Sequence, residues 1–85
     1  MARYYFHIND RGGQLRDEEG YELSDLEAVR ARAISDARSL MAADVESGTI
    51  DLTDSVEVAD ESGAVVLTLA FAEAVAIARP KPVQG

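Results

Sequence analysis

The chain has 85 residues, 47% of them hydrophobic and 28% charged, which places it with small globular domains and not with disordered chains. It has no cysteine and one histidine, His7, so disulfides, thiolate metal sites and a multi-histidine site within one chain are excluded. Sixteen acidic residues against eight basic ones give a net charge of -8, which argues against phosphate-neutralising nucleic-acid binding and against an anionic membrane surface.

Arg3 to Asn9 reads as a strand, with Tyr4, Phe6 and Ile8 on one face and Tyr5, His7 and Asn9 on the other. The turn residues of NDRGG follow. Gln14 to Asp17 returns as a second strand, interrupted by a bulge or turn at Glu18-Glu19-Gly20 before Tyr21 and Leu23. Ser24 and Glu27 have the spacing of a capping box, which predicts a helix from Asp25 to Ser47 stopped by Gly48. That is roughly 35 Å of helix at 1.5 Å per residue. Its apolar stripe is Leu26, Val29, Ala33, Ala37, Leu40 and Met41, flanked by Ile34 and Val45. Ile50 and Leu52 anchor the connection to a strand over Ser55 to Asp60. The turn Glu61-Ser62-Gly63 leads to a fourth strand, Ala64 to Phe71, with Val65, Leu67, Leu69 and Phe71 on one face and Val66 and Thr68 on the other. Phe71 to Ala78 reads as a short helix. The prolines of Arg79-Pro80-Lys81-Pro82 end it, so 79–85 is expected to be a disordered tail after a single domain over 1–78.

The fold class expected is therefore α+β: a two-layer ββαββ arrangement in which one long helix covers one face of a four-stranded, mainly antiparallel sheet. A strand order 2-1-3-4 makes every neighbour antiparallel. No apolar run of signal-peptide or membrane-spanning length is present, which points to the cytoplasm.

The strings RYYFHINDRG, RDEEGYELSDLEAVRARA and SVEVADESGAVVLTLAFAEAV resemble DUF6894, a family of short bacterial proteins of unknown function. The resemblance runs from Arg3 to about Ile77. It is carried by the Phe6-His7 strand, the Asp17-Glu18-Glu19-Gly20 run before the Leu23-x-Asp25 helix start, and the Asp60-x-x-Gly63 turn. It implies no activity and no catalytic or ligand residues.

Two sets of residues carry the functional question. Asp17, Glu18 and Glu19 offer carboxylate oxygens suited to a hard cation such as calcium or manganese. Consecutive strand residues point to opposite sides, however, and the D-x-[DN]-x-[DN]-G pattern is absent, so a solvated turn before the helix is the plainer reading. The second set, Tyr5, His7, Val66 and Thr68, is left on the sheet face away from the helix, where an aromatic and apolar patch marks an interface. No G-x-S-x-G elbow and no phosphate-binding glycine loop is present, and no cofactor is implied. The expectation is a non-enzymatic interaction module, a homodimer with an unidentified protein partner; metal or small-ligand binding at the acidic turn is the alternative.

Overall fold

The computed structural model describes residues 1–81. Its elements are β1 (Ala2–Asp10), β2 (Gly13–Leu15), β3 (Tyr21–Leu23), α1 (Leu26–Ser47), β4 (Ser55–Ala59), β5 (Val65–Ala70) and a single 3-10 turn, Phe71–Ala74. The sheet runs β2-β1-β4-β5 with every pairing antiparallel, and β3 also pairs with β1. The lanes follow the expected 2-1-3-4 order. There are five strands instead of four because the second lane is in two pieces.

The two pieces lie on the same edge of β1. Phe6 N–H turns toward them and reaches Asp17, whereas Arg3 N–H turns the other way to Glu61, beyond β4. Between the pairs Ile8–Leu15 and Tyr4–Tyr21, β1 advances four residues and its partner six. The two extra residues are taken up by the segment between Leu15 and Tyr21, a wide version of a β-bulge. A second irregularity lies in β5. Val58 faces Leu67 and Ala59 faces Val65, so Val66 is the additional residue.

α1 covers one sheet face with Val29, Ala33, Ala37 and Met41, all buried at four-residue spacing. They meet Phe6, Val56, Val58, Leu69 and Phe71 from the sheet side in one core. Each large apolar side chain buried there contributes about 1.5–3 kcal/mol relative to exposure. Leu26 and Leu40, expected in the stripe, stand 58% and 38% exposed. The alanines bring the helix close to the sheet, which leaves room for only one row of side chains beneath it.

The helix starts one residue later than the capping box implied. Asp25, not Ser24, is the N-cap, and its carboxylate accepts Ala28 N–H at 2.8 Å. An ionised acceptor at the positive end of the helix dipole is the better cap. At the other end Gly48 adopts φ 97°. Its N–H reaches Val45 O, and Thr49 N–H reaches Asp44 O, closing a Schellman motif.

The expected helix from Phe71 to Ala78 is reduced to the 3-10 turn Phe71–Ala74. Val75 is already extended. So short a segment has too few hydrogen bonds to offset helix nucleation, and the β-branched Val75 and Ile77 weaken it further. Residues 75–81 are exposed and, apart from a bend at Val75, irregular; positions 82–85 of the expected tail lie outside the described residues. Among the described residues no helix is long and apolar enough to cross a membrane.

Candidate functional site

The interruption between β2 and β3 is organised by Asp17. Its Oδ2 accepts Phe6 N–H at 3.1 Å, so a side-chain oxygen stands where the neighbouring strand would have supplied a carbonyl. Its Oδ1 accepts Glu19 N–H at 3.2 Å and Gly20 N–H at 3.1 Å. Burial alone would raise this carboxyl. The three backbone donors, Phe6 foremost, outweigh it and hold the group below its ordinary range. Gly20 closes the turn at φ 70°, and a Cβ there would stand 2.7 Å from the Tyr4 carbonyl oxygen, so no other residue fits without movement. Arg3 braces the segment by donating to Glu19 O at 2.6 Å.

Asp17 N–H donates in turn to His7 Nδ1 at 3.0 Å. A backbone N–H cannot accept, so Nδ1 keeps its lone pair and the neutral ring carries its proton on Nε2. Neither nitrogen then offers a free lone pair, which a general base or a metal ligand requires. The sequence places His7 on an outer face as a surface or interface histidine; instead the residue is 3% exposed. The bulge folds over the ring from the neighbouring lane.

The three acids of the 17–19 run do not converge. Asp17 turns inward onto backbone N–H groups while Glu18 and Glu19 are exposed. Among the described residues no three carboxylate or imidazole groups are placed to hold a metal ion.

Arg16 and Asp17 instead form the wall between two hollows. On the helix side, an apolar groove of about 390 Å³ runs between β2 and α1 over Phe6 and Ile8, with Leu15 and Leu40 at its rim. Beside it the Arg32 guanidinium carbon lies 3.6 Å from the Tyr21 ring centroid, and Nε stands 3.3 Å from Asp36 Oδ1. Burial raises the Asp36 carboxyl despite that arginine. On the other sheet face, a polar pocket of about 340 Å³ is lined by Tyr5, His7, Arg16, Glu18, Asp60 and Glu61 among others.

Of the residues expected at an interface, Tyr5 and His7 meet in this second pocket, and Thr68 lies two strands away on the same face, opposite Glu57. Val66 does not join them. As the extra residue of the β5 bulge it packs against the core cluster. Its place opposite Ala59 is taken by Val65, which is half exposed. Strict alternation along β5 hides this exchange, and nothing in the string VVLTLA announces it. Asp60 and Glu61 enter the pocket through the D-E-S-G turn, which sequence reading treats only as a turn.

Fold and site together define a small two-layer ββαββ domain with one face of its sheet under a helix and one edge strand broken by an aspartate-centred bulge. The family model of a domain of unknown function, DUF6894, matches residues 3–72, and the chain belongs to that family. No curated protein and no solved structure matches the chain.

Proposed function

We propose that this chain is a non-enzymatic, cytoplasmic protein-interaction module that acts as a homodimer, pairing through the free edge of β5. The observation that supports this reading is the contrast between the two sheet edges. The β2/β3 edge consists of two three-residue pieces separated by a bulge that carries Arg16, Asp17, Glu18 and Glu19. Short strands, bulges and charges are the devices that prevent strands from pairing with another chain. β5 has six residues, VVLTLA, without a charge or a proline, and among the described residues it pairs only with β4.

Alternation along the strand directs the Thr68 N–H and C=O to that open side. The Ala70 N–H, of the same parity, is taken by the Glu73 carboxylate at 3.0 Å, which closes one end of the edge. Two copies related by a two-fold axis would add their β5 strands antiparallel and extend the sheet. In a molecule with a charge of -8, an uncharged strand is also the place where two copies approach with least repulsion.

Light scattering over a concentration series tests this. The native chain is expected to reach twice its monomer mass. Thr68→Pro, which removes an outward N–H that edge strands can lose, and Thr68→Lys, which adds an edge charge, are expected to stay monomeric and folded. A native chain that is monomeric at every concentration, or two folded variants that still dimerise, would overturn the reading.

A further inference from the structure

We infer that Glu73 sets the register of the β5 pairing: its carboxylate closes the edge at Ala70, so that two copies meet with Thr68 facing Thr68 across the two-fold axis. This rests on the edge-to-edge dimer and adds the residue that decides how its two strands align.

The chain leaves the sheet immediately after Ala70. Phe71 N–H turns inward to Asp54 O at 2.8 Å, and Ala72 N–H to Leu52 O at 3.4 Å. The 3-10 turn is pinned at both ends, because Phe71 and Ala74 are buried and Ala74 O accepts the Arg38 Nε–H at 2.8 Å. Glu73 lies between these anchors, and its Oε1 accepts the Ala70 N–H at 3.0 Å. That N–H points out of the open edge, so the carboxylate stands where a carbonyl of an added strand would have to come. An ionised acceptor holds an N–H more strongly than a neutral carbonyl does, and its charge repels the carbonyl oxygens of an approaching strand.

Few two-fold registers are left. In an antiparallel pair, residues with outward N–H and C=O groups must face one another to bond. An axis at Leu69 sets Thr68 against Ala70, and an axis at Ala70 sets Ala70 against itself. Both need the N–H that Glu73 holds. An axis at Leu67 runs beside Val66, the extra residue of the bulge, where the ladder is irregular. An axis at Thr68 keeps both bonds of its central pair, and two threonines are favourable cross-strand neighbours.

The chain has no cysteine, so single cysteines report the register. Thr68 and Ala70 lie opposite Glu57 and Ser55, on the sheet face away from the helix. With the axis at Thr68, two Thr68→Cys chains bring their Cα atoms to about 5.5 Å, within disulfide range. Two Ala70→Cys chains keep theirs about 14 Å apart, out of range. Under mild oxidation Thr68→Cys is expected to cross-link at least about tenfold faster than Ala70→Cys, a preference of the size that one charged hydrogen bond confers. Adding Glu73→Ala should raise the Ala70→Cys cross-link severalfold, whereas Glu73→Gln, which keeps an acceptor oxygen, should not. A purely structural role for Glu73 in the 3-10 turn would not move the cross-link from one position to the other. A dimer that cross-links through Ala70→Cys as fast as through Thr68→Cys, or a ratio that Glu73→Ala leaves unchanged, would overturn the inference and leave the edge dimer standing. A native chain that scatters as a monomer at every concentration overturns both.

Discussion

Asp17 illustrates how much of this protein depends on single side chains. One carboxylate replaces a strand carbonyl for Phe6, caps the turn at Glu19 and Gly20, and positions its own N–H for His7. Removing it leaves three backbone donors without their acceptor. Such donors, partly rescued by water, cost about 1–3 kcal/mol each when buried. Asp17→Ala should therefore destabilise the chain by roughly 2–3 kcal/mol in urea unfolding, and Asp17→Asn, which keeps an acceptor oxygen, by less. An alanine variant within 0.5 kcal/mol or so of the native chain would mean that the bulge is held by its neighbours instead.

At the scale of elements, the distance between helix and sheet is set by Ala33 and Ala37. Both are fully buried and lie between Val29 and Met41. A larger side chain there has nowhere to go, because β4 and β5 present Val56, Val58 and Leu69 directly below. Ala37→Leu is expected to cost about 1–3 kcal/mol through overpacking. Leu40→Ala, at the exposed rim of the groove, should change stability by under about 1 kcal/mol. Thermal melts of the two variants compare them directly, and equal losses would show that the helix is free to lift from the sheet.

The whole molecule responds to pH through its aspartates. Hydrogen bonds from Ser62 to Asp60 and from Thr53 to Asp51 lower those carboxyls, as the backbone donors lower Asp17. A carboxyl with a lowered folded pKa contributes stability above its unfolded value of 3.8, and that contribution is lost as pH falls through the folded value. Asp36, raised by burial, acts in the opposite sense: the folded state gains as it takes up its proton above 3.8. Asp54, raised by burial and by the neighbouring Asp51, acts in the same sense as Asp36, and three lowered groups against these two raised ones predict acid unfolding that sets in below about pH 4. Asp17→Asn should reduce the steepness of that fall. Melting temperatures measured from pH 7 to pH 2 check it, and a native curve that stays flat below pH 4 would contradict the assignment of Asp17.

Local chemistry made much of the fold legible in the sequence. Alternation in Tyr4-Phe6-Ile8 and Val56-Val58, the four-residue row Val29-Ala33-Ala37-Met41 and the stop at Gly48 depend only on side-chain periodicity and backbone freedom, and α+β follows from them. Ser24 and Asp25 are both good caps, and only the backbone at Asp25 decides between them, so the helix start is legible to within one residue. Tertiary structure decided the rest. The two added residues between Leu15 and Tyr21, and Val66 in β5, shift registers that a strictly alternating reading keeps fixed. Those shifts bury His7, send Asp17 inward and exchange Val66 for Val65. The pocket over His7 joins residues from β1, the 16–18 bulge and the 60–63 turn. Sequence spacing cannot encode that meeting, because it is made by strand pairing between segments more than forty residues apart.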